Sequence, residues 1–206
     1  NFNVDYVPIP LHEPIGKVKA GVSTFASCIP EKTTRFGYPN LIPLPVRIFQ
    51  LKRCFLETRY PLENGKTLVI INTHNSAFDN GNQRRLEMEF IRDYMEGEYK
   101  KGNYVIAGGD WNQIPPGYPK EVRTKEFIPM KIPKNFFPRR WTYLFDKQRE
   151  SMRFMNQSYE KGETLTSCTD FFILSPNVRG VSVHCHPLEF ENSDHNPVTA
   201  TITLRK

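Results

Sequence analysis

No apolar run in this sequence approaches the roughly 18 residues that a membrane-spanning helix needs, so no span of that kind is expected. There is no signal peptide and no initiator Met before Asn1, which reads as a processed chain or a fragment. Internal repeats, low-complexity tracts and glycine/serine linkers are missing too, and 206 residues fit one domain better than two. Cysteine is sparse. Cys28, Cys54, Cys168 and Cys185 are widely spaced with no C-x-x-C, so neither a zinc ribbon nor a thioredoxin-type site is indicated. Cys168 and Cys185 fall on two expected neighbouring strands and can pair, although buried free thiols are the favoured reading. Secreted, periplasmic and cytosolic locations are all compatible with these cysteines.

What is present is enough for a core: 38% hydrophobic and 13% aromatic residues argue against wholesale disorder. The formal charge of +6 and pI near 9.1 suit a phosphate-bearing substrate. A solvated basic surface has the same composition.

Residues 7–46 are proline-rich and read as loops, with a short strand at Gly21–Phe25. Residues 47–59 alternate apolar and polar, as in a half-buried sheet. Glu63-Asn64-Gly65-Lys66 is a turn, and residues 67–73 (TLVIINT) read as a strand buried on both faces. From Asn82 to Lys100, Leu86, Phe90, Ile91, Tyr94 and Met95 recur at helical spacing, and Gly102-Asn103 ends the helix. Residues 104–109 (YVIAGG) are a further buried strand, so strand, helix and strand predict a right-handed βαβ unit. Residues 113–140 hold six prolines and read as a long, partly ordered loop. A short strand at Arg140–Phe145, a hairpin of 169–174 with 180–185, and a last strand over Pro197–Leu204 complete an α/β layered arrangement.

Polar residues cluster at the strand ends, where core packing does not ask for them. TLVIINT runs into His74, YVIAGG ends in Asp110-Trp111-Asn112, TDFFILS opens with Asp170, and Asp194-His195 precede the last strand. Sites form where strand ends converge, so four polar endings suggest one site. Asp110 and Asn112 share a face in extended chain. A carboxylate binds a hard cation or takes a proton from water, and an amide donates to a phosphate oxygen. Asp194 adds a second carboxylate, and Asp170 is a candidate acceptor fixing the His195 tautomer. The set suits Mg²⁺ or Mn²⁺ rather than zinc. Each residue also has a plainer reading: Asp110 and Asn112 stabilise a turn, Asp194 starts an Asx turn, and a single histidine is more often structural than catalytic.

Asn72-Thr73-His74, Gly109-Asp110-Trp111-Asn112, the Asp170 strand and Ser193-Asp194-His195-Asn196-Pro197 resemble, in order, the motifs of the endonuclease/exonuclease/phosphatase superfamily. That family includes deoxyribonuclease I, exonuclease III-like repair endonucleases, neutral sphingomyelinases and inositol polyphosphate 5-phosphatases. The resemblance covers residues 20–204, and GDWN and SDHNP are its most specific parts. It implies a partial four-layer α/β sandwich of mixed, mainly antiparallel sheets. It also implies that Asp110 orients or deprotonates the attacking water and Asn112 holds a phosphate oxygen. Asp194 and Asp110 would serve the metal, His195 polarised by Asp170 would stabilise charge on the phosphate, and His74 would add a phosphate contact.

There are departures. The family carries an Asn and a Glu at the metal on early strands, and neither has an equivalent before Gly21; Glu13 sits in a proline-rich loop. Position 168, often Arg, is Cys, and position 26, often Ser, is Ala. The expectation is a longer intact protein, with metal binding that needs residues upstream and little activity in this chain alone. Nucleic acid is the leading substrate, since Phe127, Phe136, Phe137, Arg139, Arg140 and Trp141 offer stacking faces and cations. The same aromatics packing over the sheet is the plainer reading, and sphingomyelin or inositol phosphates stay open. A non-catalytic binding domain on this fold and an unrelated α/β domain are the alternatives. The sequence leaves the oligomeric state open.

Overall fold

The computed structural model describes residues 5–8, 17–41, 43, 52–77, 81–119 and 130–205. The chain divides into two units, Asn1–Asn103 and Tyr104–Lys206.

In the first unit, β1 (Asp5–Pro8) pairs antiparallel with β2 (Lys17–Ala20). A second antiparallel set runs β3 (Lys32–Gly37), β4 (Cys54–Pro61) and β5 (Thr67–His74). The expected turn joins β4 to β5: Gly65, at φ 75°, takes the left-handed position that favours glycine, and the Lys66 N–H donates to Asn64 Oδ1 at 3.1 Å. Helix α1 spans Asn82–Lys100, as its apolar spacing predicts. It buries Met88, Ile91 and Met95, and Tyr94 meets Phe36 and Phe55 at ring distances of 4.7 and 5.1 Å. Phe55 and Glu57 pair with Thr73 and Ile71, so these four residues share the face that the helix covers.

Three expectations change here. The strand predicted at Gly21–Phe25 reduces to an isolated bridge at Ser23, and the Phe25 side chain that would have anchored it is 93% exposed. β5 alternates, with Val69, Ile71 and Thr73 buried, whereas β4 is buried continuously from Cys54 to Thr58. The apolar run of β5 thus overstated its burial, and the polar alternation of β4 understated its own. Glu13 and residues 47–51 lie outside the described residues.

The second unit holds β6 (Tyr104–Asp110), β7 (Thr142–Leu144), β8 (Met152–Arg153), β9 (Thr166–Ser167), β10 (Asp170–Leu174), β11 (Val178–Cys185) and β12 (Val198–Leu204). β10 lies between β6 and β7, antiparallel to both. β8 pairs with β9, and β11 with β12. The expected hairpin of 169–174 with 180–185 does not form, because both edges of β10 are already paired. The turn after β10 is tied to β6 instead: Val105 N–H donates to Ser175 Oγ at 2.9 Å, and Ser175 N–H to Val105 O at 3.0 Å. β11 turns to β12, whose Val198, Ala200, Ile202 and Leu204 are half-buried between exposed threonines, as the alternation predicts.

Trp111, Phe171, Ile173 and Leu174 form the core beside these strands. Gly108 faces Phe172 in register, and a Cβ built there would lie 2.6 Å from the ring, so a larger residue would force the ring to shift. The proline-rich stretch 113–140 is irregular where described, with one parallel bridge, Ile114 to Lys131; residues 120–129, Phe127 among them, lie outside the described residues. The architecture is mixed α/β, with mostly antiparallel strands. Among the described residues no helix is long and apolar enough to cross a membrane.

Candidate active site

β6 ends in Asp110 and β10 begins with Asp170, and the register sets the two directly opposite each other. Like charges across a strand pair repel, so this pairing calls for a cation. His195 meets that need. Its Nδ1 is 2.7 Å from Asp170 Oδ2, and its Nε2 is 3.8 Å from both Asp110 Oδ2 and Asp194 Oδ2. Burial pulls the His195 pKa down. The hydrogen bond and charge of Asp170, with the charges of Asp110 and Asp194, outweigh it and hold the imidazole at about 9. At neutral pH the ring is therefore a cation, with Nδ1–H donating to Asp170.

A short stretch grips this pair. Ser151 Oγ donates to Asp170 Oδ2 at 2.7 Å and accepts the N–H groups of Thr169 and Asp170 at 3.1 and 3.0 Å. The same stretch holds the histidine loop: Asn196 N–H donates to Ser151 O at 2.7 Å, and Arg153 N–H to Asp194 O at 2.9 Å. Within that loop the His195 N–H donates to Ser193 Oγ at 3.1 Å. Ser151 is 1% exposed and did not stand out in the sequence, since residues 146–168 carry no periodic pattern to frame it.

Asp110 is oriented by its neighbours. Asn112 donates its N–H to Oδ1 at 2.9 Å and its amide to Oδ2 at 3.2 Å, from a left-handed conformation (φ 49°) that asparagine tolerates. Between them Trp111 is fully buried, donating Nε1–H to Phe171 O at 2.9 Å and stacking on that ring at 5.4 Å. The turn-forming reading of Asp110 and Asn112 is what the geometry shows, and the turn fixes the direction of the Asp110 carboxylate.

Asp110, Asn112, Asp170, Asp194 and His195 thus come together in the second unit. A cleft of ≈ 400 Å³ opens there, lined by Gly109, Asp170, Ser193 and His195 among others. His74 belongs to the first unit, at the end of β5, and the chain after it is anchored. Asn75 accepts from Thr73 Oγ1 at 2.7 Å, and the Ser76 N–H and hydroxyl donate to Glu87 at 2.8 and 2.6 Å. Burial raises the Glu87 pKa, and the bonds from Ser76 and Gln83 offset that in part. All four cysteines are free thiols; burial pushes Cys185 up to about 11, and its S–H donates to Glu150 O at 3.3 Å.

Ligand atoms of Asp110, Asp170 and His195 lie within 4.8 Å of one another, a spacing compatible with a metal. Two of these are already engaged with each other: the Nδ1 of His195 bonds to Asp170 Oδ2, which also accepts from Ser151. Asp110 and Asp194 present hard oxygens on the other side of the ring. One or two carboxylates completed by water is the usual mode for Mg²⁺, so the residues fit a hard cation.

No protein-family model and no curated protein matches this sequence. Solved structures do match. An endonuclease/exonuclease/phosphatase protein from Beutenbergia cavernae superposes with a TM-score of 0.65 at 15% identity, over 99% of this chain and 53% of that one. The chain therefore spans about half that protein's length. A mannosyl-6-phosphatase from Bacteroides thetaiotaomicron gives 0.59 at 12% identity, over 98% of this chain and 77% of the other. TDP2 of D. rerio, complexed with a single-strand DNA product, gives 0.53 at 16%, over 84% and 67%.

Proposed function

We propose that this chain, which has the fold of the endonuclease/exonuclease/phosphatase structures, forms the catalytic part of a metal-dependent phosphoesterase. The observation that carries the reading is the imidazole of His195 set among three carboxylates, with Asp170 at 2.7 Å and Asp110 and Asp194 at 3.8 Å. A core has no use for that arrangement, whereas a site that must bind and polarise a phosphate has.

Asp110 orients the attacking water and takes its proton as the new P–O bond forms in line with the old one, which breaks as the leaving oxygen departs with the electron pair and takes a proton from solvent. The imidazolium of His195, fixed in tautomer and direction by Asp170, stabilises the charge that builds on the phosphate oxygens. Asn112 donates its amide to a phosphate oxygen. Asp110 and Asp194 would hold Mg²⁺ or Mn²⁺, which supplies Lewis-acid stabilisation of the phosphate when bound. The family resemblance places a further glutamate at this metal, and on that ground we read the 206-residue chain by itself as inactive.

The neighbours support a phosphate-ester substrate in general: one is a mannosyl-6-phosphatase and another was captured with a DNA product. Phosphodiesters, nucleic acid first among them, and phosphomonoesters are both within the proposal. The test is Mg²⁺-dependent hydrolysis of bis(p-nitrophenyl) phosphate by the native gene product and by this chain. An active native product, lowered at least about 100-fold by Asp110→Ala or His195→Ala, supports the reading. A native product inert on every phosphoester overturns it in favour of a binding domain on the same fold. Full activity in the 206-residue chain would show that the metal needs no further ligand.

A further inference from the structure

A second cleft lies in the same unit as Asp110 and His195, shares no lining residue with the first, and is larger, ≈ 640 Å³ against ≈ 400 Å³. Phe137, Trp141 and Tyr143 line it, Lys134, Arg139 and Arg140 add three cations, and among the described residues no carboxylate does so. The aromatic wall is braced: Trp141 leans on Phe137 at 5.1 Å, and Phe137 crosses Tyr143 edge-on at 6.0 Å. The turn carrying the arginines is closed by Trp141 N–H donating to Pro138 O at 3.2 Å. Arg140 sits in it at φ 85°, a strained position for a residue with a Cβ.

Like Lys32, Lys147 and Arg179, these three cations have no carboxylate partner among the described residues. Arg59, Arg92, Lys101 and Lys161 each hold one. The cleft is also set apart from the catalytic residues. Thr142 pairs with Leu174, four residues along β10 from Asp170, or roughly 14 Å at strand rise. A group bound here is therefore not the phosphate that faces Asp110.

We propose that this cleft binds a nucleoside phosphate, with the base against the Trp141 wall and the phosphate held by Arg139, Arg140 and Lys134. Both halves of the ligand are needed. A bare phosphate has no use for a braced aromatic wall, and an apolar ligand has none for three cations without counter-charges. The chemistry is shared by a free nucleotide and by the end of a single strand. Nothing in it depends on the reaction proposed at Asp110.

Tryptophan fluorescence reads the site directly. The chain has two tryptophans, and Trp111 is fully buried against Phe171, so a ligand in this cleft acts on Trp141. The intact 206-residue chain is titrated, in EDTA, with 5′-AMP, adenosine, inorganic phosphate and a short oligodeoxynucleotide. AMP is expected to quench saturably and to bind about tenfold more tightly than adenosine or phosphate alone. Arg140→Gly should weaken AMP about tenfold, since glycine keeps the left-handed turn while removing the guanidinium. Asp110→Ala should leave AMP binding unchanged, which separates this site from the catalytic cleft. An oligonucleotide that binds more tightly than AMP assigns the ligand to a strand end, and equal binding assigns it to a free nucleotide. No quenching at millimolar AMP, quenching indifferent to Arg140→Gly, or phosphate binding as well as AMP overturns the proposal.

Discussion

Replacing Asp170 with asparagine keeps the shape of the side chain and removes the charge that holds His195 protonated. The ring sits at about 9 against an ordinary 6.5, a difference of 2.5 units, or about 3 kcal/mol of preference for the cation. The side chain is 28% exposed, so solvent screening trims that figure. Asp170 supplies both the hydrogen bond and the leading Coulomb attraction, while Asp110 and Asp194 stay 3.8 Å away in the variant. Asp170→Asn should therefore lower the His195 pKa by about 1–2 units rather than by the whole amount.

The assay is an NMR titration of the ring carbons in EDTA, with the His195 resonance assigned by His195→Gln. The stability consequence has a definite sign. A histidine whose folded pKa lies above its unfolded value contributes stability that is complete below about pH 6.5 and fades as pH rises through about 9. The unfolding free energy from denaturant titration should thus fall for the wild type between pH 6 and pH 9.5 by up to about 3 kcal/mol, and much less for Asp170→Asn. A wild-type His195 titrating near 6.5, or a variant whose value moves by less than about half a unit, would refute the electrostatic account of the site.

Three further outcomes follow from the same geometry. Ser151→Ala leaves the Thr169 and Asp170 amides without their acceptor in a buried place, so urea denaturation should show a loss of about 1–3 kcal/mol. Gly108→Ala drives a methyl into the Phe172 ring at 2.6 Å and should cost about 1–3 kcal/mol by the same measurement, with Phe172→Ala restoring part of it. Millimolar Mg²⁺ added to the native product should lower the His195 pKa, because a dication beside an imidazolium repels its proton, and Asp194→Asn should abolish that response.

The helix and the strand ends were legible because each is a local signal. The 3.6-residue spacing from Leu86 to Met95, stopped by Gly102, gives the bounds of α1, and polar residues at the ends of apolar strands mark Asp110, Asp170 and His195. The pairing of strands is a long-range property. Ser175-Pro176-Asn177 looks like a hairpin turn on its own, yet its partners are at Val105, 70 residues away. Burial was misjudged in β4 and β5 because it depends on what covers each face. Ser151 carried no signal at all, since one serine in an aperiodic stretch looks like any other until Thr169 and Asp170 fold against it.

Residues Ser151–Arg153 hold Asp170 from one side and the Ser193–Asn196 loop from the other, so the acid and the imidazole are fastened by a single clasp. The reactive geometry should then open and close as one cooperative event, separable from melting of the strands behind it. Hydrogen exchange at the Thr169, Asp170 and Asn196 amides should share one opening free energy, lower than that of the β6 amides. A chain could in this way lose the Asp170–His195 arrangement while its spectrum and melting temperature still report an intact fold.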